Sequence, residues 1–252
     1  MISIGITGQA GFVGTHLYNI LCGHNDQFIV HPFKDEYFSD EDVLRNYVSK
    51  CDAIVHLAAI MRHPQKGEVY NIDMQLTHKL LNAIDAAGTH PTLLFASSIQ
   101  ENDGSEYGQY KYETRQLFEK WAKEHNEGCA TFVFVNMFGP LAKPNYSSFI
   151  ATFCYRLTHG EQPQVLVDNT VPLRYVDDVM EEIVPVVLDS CNNKTIQTYK
   201  VEPEWRVKVS DVLATLTRFK DTYFDKGEQP ELNSRLEELL FHTFKSYINY
   251  EL

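Results

Sequence analysis

A tyrosine and a lysine four residues apart are the side chains whose spacing most clearly suggests chemistry. In the stretch 107–111, Tyr107 and Lys111 would stand on one face of a helix, one turn apart. A free phenol titrates near pH ~10, but a neighbouring ammonium stabilises the phenolate and lowers that pKa. The pair could therefore exchange a proton with a substrate at neutral pH. The same spacing is common on surface helices, so a structural role is the alternative.

Two serines directly follow a strand that is predicted over residues 92–96, before this helix. Ser97 and Ser98 follow it at the place where ligands bind in parallel α/β sheets. A hydroxyl there could hold a substrate carbonyl oxygen while Tyr107 protonates it. Alternatively, either serine satisfies a loop amide.

A glycine loop near the N-terminus follows a short apolar strand and opens a predicted helix. Gly8 permits a tight turn, Gly11 lets the backbone approach a pyrophosphate, and Gly14 lets the helix pack close to its strand. The helix-start amides near Phe12 and Val13 favour a bound diphosphate. The pattern indicates a dinucleotide, with a plain strand-turn-helix as the alternative.

The end of the second predicted strand bears on the choice of cofactor. NAD enzymes typically place an acidic residue there for the ribose, and NADP enzymes place a cation. Here His31 and Lys34 are followed by Asp35. We expect NADPH, with His31 and Lys34 near its extra phosphate, while Asp35 keeps NAD as the alternative.

The elements that must position these groups alternate between strand and helix. Strands are predicted over residues 2–6, 28–30, 53–57, 92–96 and 130–135, and helices after Asp40, over 69–87 and over 106–125. This alternation predicts an α/β fold with a doubly wound parallel sheet of the Rossmann type. We assign residues 1–140 to this dinucleotide-binding domain.

Residues 141–252 are assigned mainly to a small substrate-side α/β subdomain, interleaved with the first domain. The pattern predicts helices over about 147–159, 177–188 and up to 219, short strands around Val165 and Leu173, a strand over 196–201 and a last amphipathic segment over 231–250. Pro185 is expected near a kink or the end of its helix, and Ser210 is expected to cap the helix that follows it.

Composition narrows the class of protein. The chain has 252 residues, 44% of them hydrophobic, and a net charge of -12, which argues against binding to nucleic acid or to anionic membranes. The five cysteines form no CxxC pair, so neither zinc nor a disulfide framework is indicated. The sequence has no apolar run long enough to span a bilayer, and Met1 leads straight into a strand. We therefore expect a cytoplasmic protein.

As a set, the motifs resemble those of the extended short-chain dehydrogenases/reductases, the NAD-dependent epimerase/dehydratase family. They are Thr7-Gly8-x-x-Gly11-x-x-Gly14, His56-Leu57-Ala58-Ala59, Asn71, Ser98, Tyr107-x-x-x-Lys111, Asn136-Met137-Phe138-Gly139 and Tyr175-Val176-Asp177-Asp178. The resemblance implies that Ser98, Tyr107 and Lys111 are catalytic and that the substrates are nucleotide sugars. It also implies that Asn71 supports the site, and that Leu57, Ala58 and Ala59 lie at the cofactor.

A narrower resemblance is to the reductase modules of capsular polysaccharide synthesis enzymes of the CapF type. It rests on Ser97-Ser98-Ile99-Gln100, on the run from Lys143 to Tyr155, and on Tyr175-Val176-Asp177-Asp178. It implies NADPH-dependent reduction of the C4 ketone of a UDP-2-acetamido-2,6-dideoxy-4-hexulose. Such enzymes usually carry a C-terminal metal-binding cupin domain. Leu252 lies about where that domain would begin, so we expect the epimerase step to lie outside this sequence.

The expected substrate contacts depart partly from the family pattern. Many members carry an arginine before the Asn136 loop and another near position 171, where this chain has Val171. Arg174 is nearby but out of register, and Arg62 is a candidate anion ligand by its location, with a solvated loop arginine as the alternative. The expected set for the UDP-sugar is Arg62, Ser98, Asn136, Asn145 and Arg174, and no metal is expected.

Alternatives to a reductase stay open. An epimerase with tightly bound NAD shares most of these motifs, and a non-catalytic dinucleotide-binding protein could keep the same fold. Dehydratases of the family place Asp-Glu after the catalytic hydroxyl residue. Here Ile99 and Gln100 follow Ser98, which disfavours dehydration. The resemblance also implies a homodimer. Segments 74–81 and 117–121 could supply its interface or could equally belong to the core of the monomer, so the interface residues stay unassigned.

Overall fold

The computed structural model describes residues 1–251, which form two compact units. The first consists of Met1–Phe134 and Val179–Val201, and the second consists of Val135–Asp178 and the chain from Glu202 onward. Among the described residues, no helix combines the length and apolarity needed to cross a membrane.

Nine strands and eight α-helices make up the described chain. The strands are β1 (Ile2–Thr7), β2 (Phe28–His31), β3 (Ala53–His56), β4 (Thr92–Ser98), β5 (Cys129–Phe134), β6 (Asn136–Phe138), β7 (Thr170–Tyr175), β8 (Ile196–Lys200) and β9 (Trp205–Lys208). The helices are α1 (Phe12–Gly23), α2 (Glu41–Val48), α3 (Glu68–Ala87), α4 (Glu106–His125), α5 (Phe149–Thr158), α6 (Val176–Asn193), α7 (Val209–Phe219) and α8 (Arg235–Lys245).

The first unit is built on a six-stranded parallel sheet in the order β2-β1-β3-β4-β5-β8. Its central strands are short apolar runs because they are buried on both faces. The crossover from β1 through α1 to β2 and the crossover from β2 through α2 to β3 run in opposite directions along the sheet, so their right-handedness places α1 and α2 on opposite faces. The predicted doubly wound parallel sheet is confirmed.

The strand order reverses beside β1. The chain leaves β1 for β2 on one side and then returns to β3 on the other. Helices leaving β1 and β3 therefore diverge to opposite faces and open a crevice at the carboxyl ends of these two strands. The glycine loop directly follows β1 and so lies at this crevice.

The ends of the helices follow local sequence. The Asp40 carboxylate accepts the amides of Asp42 and Val43 at 3.0 and 3.1 Å and so caps α2. Gly88 ends α3 in the left-handed region at φ 62°. The Ser105 hydroxyl accepts the Gly108 amide at 2.9 Å, which fixes the first turn of α4.

The second unit has its own small sheet, in which β6 pairs parallel with β7 and β7 pairs antiparallel with β9. Helices α5, α7 and α8 belong to the same unit. Phe219, Phe241 and Phe244 form one aromatic cluster in its core. The buried Tyr247 hydroxyl donates to the Ala142 carbonyl at 2.5 Å and anchors the segment after α8.

Two local expectations differ from the structure, and a third is narrowed by it. The strand expected around Val165 is absent, and residues 161–165 have no regular structure. Ser210 does not cap α7, which already begins at Val209, because its amide and hydroxyl both donate to the Asp168 carboxylate at 2.9 Å. Pro185 lies inside α6, which continues to Asn193, so the helix does not end there and a kink at Pro185 stays a prediction.

Candidate active site

The glycine loop has little room for side chains. Gly8 is left-handed at φ 68°, and a Cβ there would lie 2.7 Å from the Ala58 nitrogen. A Cβ on Gly14 would lie 2.3 Å from the Gly8 carbonyl oxygen and 2.7 Å from the Gln9 Cα. The two glycines therefore let the loop pack against the end of β3 and let α1 pack against the loop.

The start of α1 is suited to an anion. Gly11 occupies the N-cap without a side chain, and the first turn, which includes Phe12 and Val13, carries no acidic residue. The first amides and the positive end of the helix dipole are therefore left for a ligand. These residues fit the pyrophosphate of a dinucleotide.

The end of β2 is tied to the glycine loop by one hydrogen bond. The Phe33 amide donates to the Gln9 side-chain oxygen at 2.9 Å. His31 is half-buried, and its Nε2 finds no hydrogen-bond partner among the described residues, while Lys34 and Asp35 are exposed. A polar ring atom without a partner at this strand end is compatible with a phosphate or ribose oxygen of a cofactor.

The segment after β3 closes the other side of the crevice. The Thr7 hydroxyl contacts His56 Nδ1 at 2.8 Å, and the Ala58 amide donates to the same hydroxyl at 3.4 Å. Burial, with a smaller effect of Lys111, lowers the pKa of His56 to about 3, so the imidazole is neutral. Leu57 and Ala58 are thereby fixed beside Gly8, and Ala59 follows them.

The two serines after β4 have different partners. Ser97 is buried and donates its hydroxyl to the Glu101 carboxylate. The Ser98 hydroxyl accepts the Gln100 amide at 3.1 Å. A hydroxyl that accepts one hydrogen bond can still donate its proton. Ser98 can therefore act toward a substrate oxygen while also ordering its own loop.

Lys111 is buried to 4% exposure, and its ammonium donates to the Ala96 carbonyl at 2.7 Å. Nζ lies 5.1 Å from the centre of the Tyr107 ring, one helical turn away. Burial lowers the pKa of Lys111 to about 8, against the opposing effect of the Asp73 and Glu101 carboxylates. The ammonium therefore remains charged at neutral pH and favours ionisation of the neighbouring phenol.

Asp73 is a functional candidate that the sequence reasoning missed. It lies fully buried on α3, and its Oδ1 accepts the Ile60 amide at 2.7 Å. Its Oδ2 is buried without a partner among the described residues. Burial raises the pKa of Asp73 to about 7, against the opposing effects of the Ile60 amide and Lys111. By contrast, Asn71 is exposed, and its amide donates to the Glu68 carboxylate at 3.4 Å.

The sequence carries one signal for this buried carboxyl. Asp73 and Thr77 are four residues apart and lie on the side of α3 that also buries Met74 and Leu80. The Thr77 hydroxyl is 3.1 Å from the Thr114 hydroxyl of α4. A polar pair at helical spacing among apolar positions therefore indicates a buried polar layer.

A comparison with known families agrees with this geometry. The NAD dependent epimerase/dehydratase family matches residues 4–201, which is most of the chain. The chain belongs to this family. The resemblance to extended short-chain dehydrogenases/reductases is confirmed.

Relatives of this epimerase-family chain include a reductase and several solved structures. A Pseudomonas aeruginosa protein named UDP-2-acetamido-2,6-beta-L-arabino-hexul-4-ose reductase is 30% identical over 253 residues. That alignment covers 96% of this chain but 64% of the relative, so this chain spans less than two thirds of that protein.

Solved structures resemble the chain along nearly its whole length. The capsular polysaccharide assembling protein CapF from Staphylococcus aureus is 29% identical, with a TM-score of 0.76, and the match covers 99% of this chain and 67% of that one. The structure of RMD from Pseudomonas aeruginosa, complexed with NADPH, is 18% identical with a TM-score of 0.79, covering 98% and 99% of the two chains. At that identity the second likeness supports the fold alone.

The expected substrate contacts of this family member are distributed over both units. Arg62 is exposed in the first unit. In the second unit, the Asn136 amide donates to the Pro172 carbonyl at 3.3 Å, and the Asn145 oxygen accepts from Arg156 at 3.1 Å. Arg174 donates to the Glu202 carbonyl at 2.8 Å. The three side chains of the second unit are therefore held by partners in that unit, and for all four residues a role toward a sugar nucleotide stays a prediction.

Proposed function

We propose that this chain is an NADPH-dependent reductase of the C4 ketone of a UDP-2-acetamido-2,6-dideoxy-4-hexulose, acting in the synthesis of capsule or O-antigen sugar nucleotides. The observation that carries the proposal is the buried Lys111 ammonium, one turn from Tyr107 on α4. The name of the Pseudomonas aeruginosa relative supports the substrate class. The Staphylococcus aureus likeness supports a place in polysaccharide synthesis.

The cofactor fits the crevice beside β1. Gly8, Gly11 and Gly14 with the first amides of α1 would hold its pyrophosphate, and His31 and Lys34 would meet its ribose phosphate. When bound, NADPH supplies the hydride for the carbonyl carbon. NAD is the alternative cofactor.

Side chains of the protein would protonate and orient the carbonyl oxygen. Tyr107 donates its phenolic proton to that oxygen, and the charged Lys111 stabilises the phenolate that remains. Ser98 donates a hydrogen bond from its hydroxyl to the same oxygen and keeps its own proton, while its oxygen still accepts the Gln100 amide. Reduction then needs no acid or base other than Tyr107 at the sugar.

The remaining contacts are proposals of the same kind. Arg62, Asn136, Asn145 and Arg174 would bind the UDP-sugar, and the second unit would act as the substrate-side subdomain. Alanine at Arg174 should raise KM for the sugar nucleotide more than KM for NADPH. We also propose a homodimer, which light scattering coupled to gel filtration can test.

The test is NADPH oxidation with a UDP-2-acetamido-2,6-dideoxy-4-hexulose as substrate. The wild type should turn over, and Tyr107→Phe should lose roughly 10²- to 10⁴-fold in kcat while still binding NADPH. Tyr112→Phe is the matched control, because Tyr112 is an exposed tyrosine on the same helix. No oxidation by a wild type that binds both ligands would refute the proposal.

A further inference from the structure

The loop that carries Ser98 is joined to α4 by an ion pair that the proposed mechanism does not use. Arg115 Nε and Nη2 both donate to the Glu101 carboxylate, with N–O distances from 2.9 to 3.1 Å. The two side chains are 19% and 12% exposed, so water screens the pair only partly. Paired hydrogen bonds from a guanidinium fix geometry as well as charge.

The ion pair joins the catalytic helix to the loop that carries Ser98. Arg115 lies one turn beyond Lys111 and two turns beyond Tyr107 on α4. Glu101 lies three residues after Ser98, and its amide donates to the Ser98 carbonyl at 3.1 Å. Its carboxylate also accepts the hydroxyl of Ser97, the neighbour of Ser98.

A second contact holds the same loop against the same helix. A Cβ on Gly108 would lie 2.2 Å from the Gln100 carbonyl oxygen, so only glycine lets the loop approach so closely. Gly108 directly follows Tyr107 in sequence. Gln100 and Glu101 both follow Ser98, so the loop just after Ser98 is held against α4 by a backbone contact and by an ion pair.

We propose that Glu101 and Arg115 are positioning residues, whose ion pair holds the Ser98 hydroxyl at a fixed distance from Tyr107 and Lys111. The inference rests on the proposed reductase function for its kinetic consequence. Glu101 and Arg115 touch no reacting atom in this proposal. Glu101 also raises the pKa of Lys111, so its effect through the Ser98 loop is measured at a pH where Lys111 is fully charged.

The kinetic test is a double-mutant cycle on the limiting kcat at the plateau of the pH profile. Glu101→Gln and Arg115→Gln should each lower kcat roughly ten- to hundredfold with little change in KM for NADPH, since small misplacements of a catalytic group are costly. Adding Glu101→Gln to Ser98→Ala should lower kcat no further, because the hydroxyl that the pair positions is already gone. Losses that multiply would overturn the proposal.

Glu119→Gln is the matched control. Arg115 also donates to Glu119, at 3.4 Å, but Glu119 lies on α4 itself and does not touch the loop. Its variant should keep the wild-type kcat.

Hydrogen exchange tests the pair without any turnover. Amides of residues 98–105 should exchange faster in Glu101→Gln than in the wild type, and at the wild-type rate in Glu119→Gln. Wild-type exchange in Glu101→Gln would overturn the proposal, whereas an inactive wild type with faster exchange in this variant would refute only the reductase function.

Discussion

Replacing Asp73 by asparagine should change how the stability of the protein depends on pH. The carboxyl is fully buried, and only one of its oxygens is hydrogen-bonded among the described residues. Burial raises its pKa to about 7 from the ordinary value of 3.8. Asparagine has nearly the same shape and can accept the same Ile60 amide, but it cannot ionise.

The direction in which pH changes the stability follows from the protons bound by the native and unfolded chains. Between the unfolded pKa and the raised native pKa, the native carboxyl holds a proton that the unfolded chain has lost. The free energy of unfolding therefore falls as the pH rises through this window, opposite to the usual behaviour of a carboxylate in an ion pair. Each unit of pKa difference corresponds to ~1.4 kcal/mol. Between about pH 4.5 and pH 7, the free energy of unfolding of the wild type should therefore fall by about 3 kcal/mol more than that of Asp73→Asn.

Urea unfolding at a series of pH values measures this difference. The comparison uses the change in the wild-type-minus-variant free energy, so titrations shared by both proteins cancel. Asp85→Asn is the control, because Asp85 is exposed on the same helix. Parallel curves for the wild type and Asp73→Asn would refute the conclusion that the native carboxyl is protonated below neutral pH.

Three further outcomes are expected. Gly14→Ala should abolish tight NADPH binding by fluorescence titration, because the added Cβ would lie 2.3 Å from the Gly8 carbonyl oxygen; unchanged affinity would contradict the packing argument. Turnover should fall as the pH rises through about 8, because the Lys111 ammonium is lost there; a flat profile to higher pH would contradict this role. Tyr47→Phe should cost about 1–3 kcal/mol in urea unfolding, because this buried hydroxyl bonds backbone groups of both β1 and β2; a loss below about 0.5 kcal/mol would contradict that accounting.

Long periodic elements with clear capping residues were predictable from the sequence. Helices α3 and α4 lie within one residue of their predicted ranges, since Gly88 and Ser105 mark the end of one and the start of the other. The parallel sheet was predictable because its central strands are largely apolar and buried. Ser210 misled the prediction, since a good capping residue can instead bind a distant carboxylate, here Asp168.

Contacts between distant positions were not predictable from one sequence. Glu101 and Arg115 are fourteen residues apart across a loop and a helix start, so no local periodicity links them. The same limit hid the different partners of Ser97 and Ser98, because both hydroxyls end the same strand. Asp73 was missed because a charged residue on a helix is normally assigned to its solvated face.

The side chains of the loop after β4 also bear on which reaction the site can perform. Dehydration of a sugar needs a carboxylic acid for the leaving hydroxyl and a base for the proton beside it. Ile99 and Gln100 offer neither, and the carboxylates of the segment 98–105 are Glu101 and Asp103. Asp103 accepts the Ser105 amide at 2.8 Å, and hydrogen bonds from Ser105 hold its pKa below the usual value, so it is a poor proton donor.

Glu101 is hydrogen-bonded to Arg115 and Ser97, which leaves Tyr107 as the proposed proton donor in this part of the site. One proton donor beside a hydride source is sufficient for ketone reduction and insufficient for loss of water. Epimerisation would also need the cofactor to be retained through two hydride transfers. Free exchange of NADPH between turnovers would exclude that requirement and would favour the proposed reduction over epimerisation.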